Sequence, residues 1–176
     1  MDSSIIWQKK GSWRLRIKTA VLPDGTTIEQ PAIEHPGSVV LVPLQKQKEE
    51  WWVLMLQQYR HALDQTILEL PAGTRKWGEP WQVCAQRELR EETGRRAAQF
   101  IDLGEIWPAP GITDERMQLV LAQTLSLDPL PADKDEQIEV VPMLLADVFA
   151  LAQNGRLQDA KSIIGIWRAA QYLQII

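Results

Sequence analysis

The 176-residue chain is 45% hydrophobic and 24% charged, which suits one folded domain with a real core. Its net charge of −4 argues against a partner bound through the nucleic-acid backbone, and no apolar run reaches the length of a membrane span. The opening "MDSSIIWQKKGSW" has no charged leader followed by a long apolar region, and the single cysteine, Cys84, has no intrachain partner, so a reducing, cytoplasmic setting is expected.

In chain order, "WRLRIKTAVL" alternates Leu15 and Ile17 with Arg14, Arg16 and Lys18, the pattern of a half-buried strand. "LPDGTTIE" supplies a Pro-Asp-Gly turn and a second strand, giving a hairpin. "GSVVLVPL" and "WWVLMLQQY" read as buried neighbouring strands separated by the polar segment "QKQKEE", and "TILELPAG" as a short strand ending at Pro71. A helix is expected from about Pro80 to Thr93, with Gly94 as its stop. "AQFIDLGEIWPAPG" reads as a strand running into a proline-rich loop, and "RMQLVLAQTLSL" and "QIEVVPM" as strands around the acidic loop "ADKDEQ". Two helices close the chain: "LLADVFALAQNG", stopped by Asn-Gly, and "DAKSIIGIWRAAQYLQ", with Asp159 as N-cap. The fold class is α+β, in a single domain.

The helix after Pro80 breaks its own pattern. At about 100° per residue, Trp81, Cys84, Ala85 and Leu89 share one side, and Gln82, Gln86, Arg90 and Thr93 share the other. Glu88 and Glu92 fall on the apolar side, with Glu91 at its edge. Carboxylates there carry a desolvation penalty and repel each other unless something compensates. One account is that the helix end emerges into solvent. The other is a divalent cation, and an oxygen-only donor set suits Mg²⁺ or Mn²⁺. Arg87 stands four before Glu91 and can pair with it, Gly73 follows a strand end where a sharp turn is needed, and Glu79 lies near the helix start.

The run Gly73, Glu79, Arg87-Glu88-Leu89, Glu91-Glu92, Gly94 resembles the Nudix box, departing only at Arg95, where the pattern has an aliphatic residue. The resemblance implies an α/β/α sandwich: a mixed β-sheet with flanking helices, here preceded by an N-terminal antiparallel hairpin. It divides the chain into N-terminal strands over 1–36, a dimer-contact element, and the Nudix hydrolase domain over 37–176. It implies metal ligation by Glu88, Glu91, Glu92 and the Ala72 carbonyl, with Arg87 orienting the glutamates and Glu79 locking the loop.

The flanks "QQYRHAL", "LELPAG", "PAPGITDE" and "GRLQDAKSIIGIW", with Pro110 sixteen residues beyond Gly94, are similar to the ADP-ribose pyrophosphatase branch. That branch implies Mg²⁺-dependent hydrolysis of ADP-ribose to AMP and ribose 5-phosphate by a homodimer. Arg60 is a diphosphate clamp or a surface arginine at a strand end, Glu115 is a ribose contact or arginine partner, and the branch implies a catalytic base in the loop "ADKDEQIE", for which Glu136 is the candidate unless the loop is an ordinary solvated turn. Glu69 is an arginine partner or a structural acid. Trp7 and Trp13 are platforms for a nucleobase, or packing residues. GDP-mannose, dinucleotides and dNTPs remain alternative substrates, and a non-catalytic nucleotide-binding regulator remains an alternative class.

Overall fold

The computed structural model describes residues 5–9, 11–131 and 137–175. The N-terminal part forms a three-stranded antiparallel sheet of β1 (Ile5–Gln8), β2 (Arg14–Val21) and β3 (Thr27–Glu34). The expected hairpin is β2–β3. Its turn is closed by Gly25 N–H donating to Leu22 O at 2.9 Å, and Gly25 sits at φ 86°, which its missing Cβ permits. Asp24 accepts from the Thr26 N–H. Four residues are too few to show alternation, so β1 had no signal in the sequence.

The second sheet is mixed. Its main path runs β10 (Ile138–Leu144), β5 (Glu50–Arg60), β4 (Ser38–Gln47), β9 (Met117–Leu127), β8 (Arg95–Ile106), with β4 and β9 parallel. The polar "QKQKEE" does not separate the strands as expected. Gln47 pairs with Glu50, so β4 and β5 run through it to a two-residue turn with Lys48 at φ 55°. Ladder hydrogen bonds do not require apolar side chains, and the strands outlast their buried portion.

The β4–β5 pairing covers only Leu44–Gln47 against Glu50–Val53, after which the strands part. Into the gap come β6 (Gln65–Glu69), paired with β5, and β7 (Ala72–Thr74), paired with β4. The "LELPAG" segment is thus two short strands joined at Leu70–Pro71, and Leu41 N–H donates to Pro71 O at 2.8 Å. This wedge places Ala72 and Gly73 at the centre of the sheet.

Strand alternation sorts the core into two layers. Val39, Leu41, Val120 and Ala122 face Cys84, Ala85 and Leu89 of helix α1 (Trp81–Thr93). Val40, Val42, Leu119 and Leu121 face helices α2 (Leu145–Gln153) and α3 (Ala160–Tyr172), through Leu145, Val148, Ile166 and Ala169. The result is the helix–sheet–helix sandwich expected from the sequence. Among the described residues no helix is long and apolar enough to cross a membrane.

Candidate active site

Helix α1 starts one residue after Pro80 and ends at Gly94, whose φ of 67° is the left-handed cap conformation and whose N–H donates to Arg90 O at 3.1 Å. Its buried residues are Cys84, Ala85, Glu88, Leu89 and Glu92. Both carboxylates therefore point at the sheet, as the wheel indicated, and are only 8% and 6% exposed. Arg95, the departure from the box pattern, opens β8 opposite Leu127.

The wedge strand meets these carboxylates directly. Ala72 N–H donates to Glu92 Oε2 at 2.9 Å. Gly73 passes so close to Glu88 that an ideal Cβ there would lie 1.8 Å from Glu88 Cδ. Only glycine leaves room for a carboxylate under that turn. The neighbouring arginine gathers the rest. Arg87 Nη1 donates to Glu88 Oε1 at 2.6 Å and to Glu91 Oε2 at 3.0 Å, and Nη2 donates to Glu79 Oε2 at 3.1 Å. Glu79 also accepts from the Lys76 N–H at 2.9 Å, which pins the loop ahead of the helix.

The titration directions follow. Burial disfavours the Arg87 charge, but the hydrogen bond to Glu79 and the charge of Glu88 outweigh it and hold the guanidinium above its ordinary value. Burial would raise Glu79, but its bonds from Arg87 and the Lys76 N–H hold it below the ordinary carboxylate range. Burial, then the charge of Glu88, push the Cys84 thiol up, so it stays protonated.

These residues suit a hard divalent cation. The donors are carboxylate and carbonyl oxygens, two of the carboxylates are buried, and the backbone over Glu88 carries no Cβ. Among the described residues no group of three or more His, Cys, Asp or Glu side chains is placed to hold a metal ion, and Glu88 and Glu91 are turned to Arg87 instead. Arg87 supplies the local counter-charge for Glu79, Glu88 and Glu91.

Ala72, Gly73, Arg87 and Glu88 line one part of an open cleft of about 740 Å³. Arg60, Glu69, Lys161 and Glu115 line it elsewhere, and Trp13 comes in from the N-terminal sheet. Arg60 Nη2 lies 2.6 Å from Glu69 Oε1, so Glu69 does pair with an arginine. Glu115 accepts from Ser38 Oγ at 2.6 Å and lies 3.6 Å from His35 Nδ1. Burial pushes the His35 pKa down, against the pull of Glu115 and Asp114, which keeps the ring neutral near pH 7. Pro110 is exposed on the loop after β8, and Pro108 is the proline of that loop that lines the cleft. Trp7 packs against Trp13 with ring centroids 4.8 Å apart. Glu136, the expected base, and its neighbours Asp133, Lys134 and Asp135 lie outside the described residues.

Lys161 and Arg75, to which no motif in the sequence assigns a role, both line the cleft. Lys161 had the same signal as Glu88. It stands four before Gly165 and eight before Ala169, on the buried side of α3. The guanidinium of Arg75 donates to the Glu79 carbonyl through Nε at 2.8 Å, and sequence spacing gives no sign of that.

Comparison with known proteins agrees with this geometry. Residues 34–164 match the model of the NUDIX domain. The chain is 33% identical over 163 residues to an ADP-ribose pyrophosphatase of Bacillus subtilis, covering 92% of this chain and 84% of that protein. It is 33% identical over 164 residues to a methanol dehydrogenase activator of Bacillus methanolicus, covering 92% and 85%. Among solved structures it superposes on an ADP compounds hydrolase with a TM-score of 0.79 at 20% identity, over 97% of this chain and 90% of that one, a likeness of fold.

Proposed function

The chain belongs to the Nudix family, and from that premise we propose that it hydrolyses the diphosphate bond of ADP-ribose to give AMP and ribose 5-phosphate. One observation carries the reading. Buried Glu88 lies under Gly73 at one side of a cleft, with buried Glu92 beside it on the Ala72 N–H, and Arg60, Arg75 and Lys76 are among the cations that line the cleft. A diphosphate needs both: carboxylates to hold a cation, and guanidinium or ammonium groups to meet its own oxygens.

We assign Mg²⁺, with Mn²⁺ as substitute, to Glu88, Glu91, Glu92 and the Ala72 carbonyl. Such an ion, when bound, neutralises the diphosphate and lowers the pKa of a coordinated water. Arg87 fixes Glu88 and Glu91 so that their oxygens stay aimed. Arg60 holds the diphosphate, Glu115 meets the ribose, Pro110 shapes the loop beside it, and Glu136 takes the proton of the attacking water.

The test is a panel of ADP-ribose, GDP-mannose, diadenosine polyphosphates, NADH and dNTPs with Mg²⁺, following AMP or phosphate release, with Glu92→Gln beside the wild type. ADP-ribose should be turned over best, and E92Q should lose turnover. A preference for a dNTP or GDP-mannose overturns the substrate assignment and leaves the site standing.

The equal identity to a methanol dehydrogenase activator favours one second reading, a regulator of another enzyme. Binding of a diphosphate nucleotide without turnover of any would support it. We also place the protein in the cytoplasm as a homodimer, with no nucleic-acid or membrane partner. Ile6 and Trp7, 58% and 52% exposed on β1, supply an apolar surface for subunit contact. A monomer mass in size-exclusion chromatography with light scattering would remove the dimer.

A further inference from the structure

The cleft wall opposite α1 is built around a carboxylate with no role in the site described so far. Glu69 is 1% exposed and carries cations on both oxygens: Arg60 Nη2 at 2.6 Å from Oε1, and Lys161 Nζ at 2.6 Å from Oε2. Lys161 also lies 2.8 Å from Asp159 Oδ2, and Asp159 caps α3 by accepting from Ser162 N–H. Ser162 Oγ in turn accepts from the Leu70 N–H at 2.6 Å. The chain of contacts joins β5, β6 and the first turn of α3, elements that meet only in the tertiary fold.

Its charges balance: Arg60 and Lys161 against Glu69 and Asp159. Its exposures do not. The side chain of Lys161 is 10% exposed, whereas that of Arg60 is 38% exposed and lines the cleft. The lysine is committed to the two acids, and the more exposed arginine stands at the cleft surface. The contact of Arg60 with Glu69 Oε1 is an ion pair without an aligned hydrogen bond, so charge alone decides how far the guanidinium is drawn toward that acid. Removing the lysine would leave two acids against one arginine. Glu69 would then draw Arg60 inward, and the wall would carry net negative charge where a diphosphate must bind.

We propose that Lys161 is a positioning residue for substrate binding: by neutralising Glu69 and Asp159 it leaves Arg60 free to meet the diphosphate. This rests on the function proposed above. It makes no contact with the reacting atoms, so its effect falls on KM and not on kcat.

The experiment measures kcat and KM for ADP-ribose with Mg²⁺ in the wild type, K161M, K161R, R60A and the double variant R60A/K161M. ADP-ribose binding without divalent metal, read by quenching of the intrinsic tryptophan fluorescence, runs alongside. K161M should raise KM and the dissociation constant by roughly tenfold, as for loss of one well-placed charge-assisted contact. Its kcat should stay within about threefold. K161R should restore most of the binding. In the R60A background K161M should add less than about twofold, because its effect passes through Arg60.

Full multiplication of the two effects overturns the proposal, as does a K161M variant that loses kcat with KM unchanged. Should K161M fail to fold, K161Q takes its place and must show the same non-additivity with R60A. The outcomes separate from the parent reading. Turnover of ADP-ribose with additive variants sinks only the role of Lys161. A wild type that turns over another diphosphate sinks the substrate assignment, and the same cycle is then read on that compound.

Discussion

Replacing Gly73 with alanine tests whether the box turn exists to admit a carboxylate. The ideal Cβ would sit 1.8 Å from Glu88 Cδ and 2.1 and 2.2 Å from its oxygens. Non-bonded carbon atoms rest at about 3.5–4.0 Å, so the carboxylate must retreat by roughly 2 Å. It is the far end of a flexible side chain, so the fold can absorb the change at about 1–3 kcal/mol. The site cannot. The retreat breaks the 2.6 Å contact with Arg87 and moves one donor of the assigned ion. A misplacement of about 1 Å in such a constellation costs on the order of a hundredfold in rate. The expected result is a G73A protein that melts cooperatively a few degrees below wild type and whose kcat for ADP-ribose, at saturating substrate and Mg²⁺, is lower by about a hundredfold or more. A kcat within about threefold of wild type would refute the reasoning, since Glu88 would then have room that the structure denies it.

Arg87→Lys replaces a fork that holds Glu79, Glu88 and Glu91 with a single point charge. It should cost about 2–4 kcal/mol in urea unfolding and lower kcat more than it raises KM. Ser162→Ala removes a fully buried hydroxyl that accepts from Leu70 N–H, and should cost about 1–3 kcal/mol by the same assay. At Glu34, burial is outweighed by hydrogen bonds from Arg16 and Arg14, so its folded pKa lies below the ordinary 4.5. A depressed carboxylate contributes stability that is present above its unfolded pKa and lost as pH falls through the folded one. The melting temperature of the wild type should therefore fall from near pH 4.5 downward, and E34Q should show a shallower fall across that window. An identical pH profile for E34Q would remove Glu34 from the acid response.

The site was legible in the sequence where it is local. Glu88, Glu91, Glu92 and Arg87 belong to one helix, and a period of about 3.6 residues places them relative to Cys84 and Leu89 without knowledge of the rest of the chain. The same period places Lys161 on the buried side of α3, although a lysine in the first turn of a helix has the sequence signature of an ordinary surface charge. The two-residue turn at Lys48–Glu49 has no polarity signal, because the backbone ladder of β4 and β5 continues through polar residues.

Sequence by itself therefore determined the box helix, its stop at Gly94, the buried character of β4, and the family of the chain. Tertiary structure alone decided the rest. That Gly73 comes down on Glu88 follows from the parting of β4 and β5, which lets β7 in between them. That Glu69 sits between Arg60 and Lys161 follows from the β5–β6 register and from α3 packing onto Leu70, where Gly165 leaves space that a Cβ would fill at 2.7 Å. Glu69 and Lys161 are 92 residues apart, and no local periodicity links positions so distant. The first half of the site is a property of one helix. The second half is a property of how strands and helices meet.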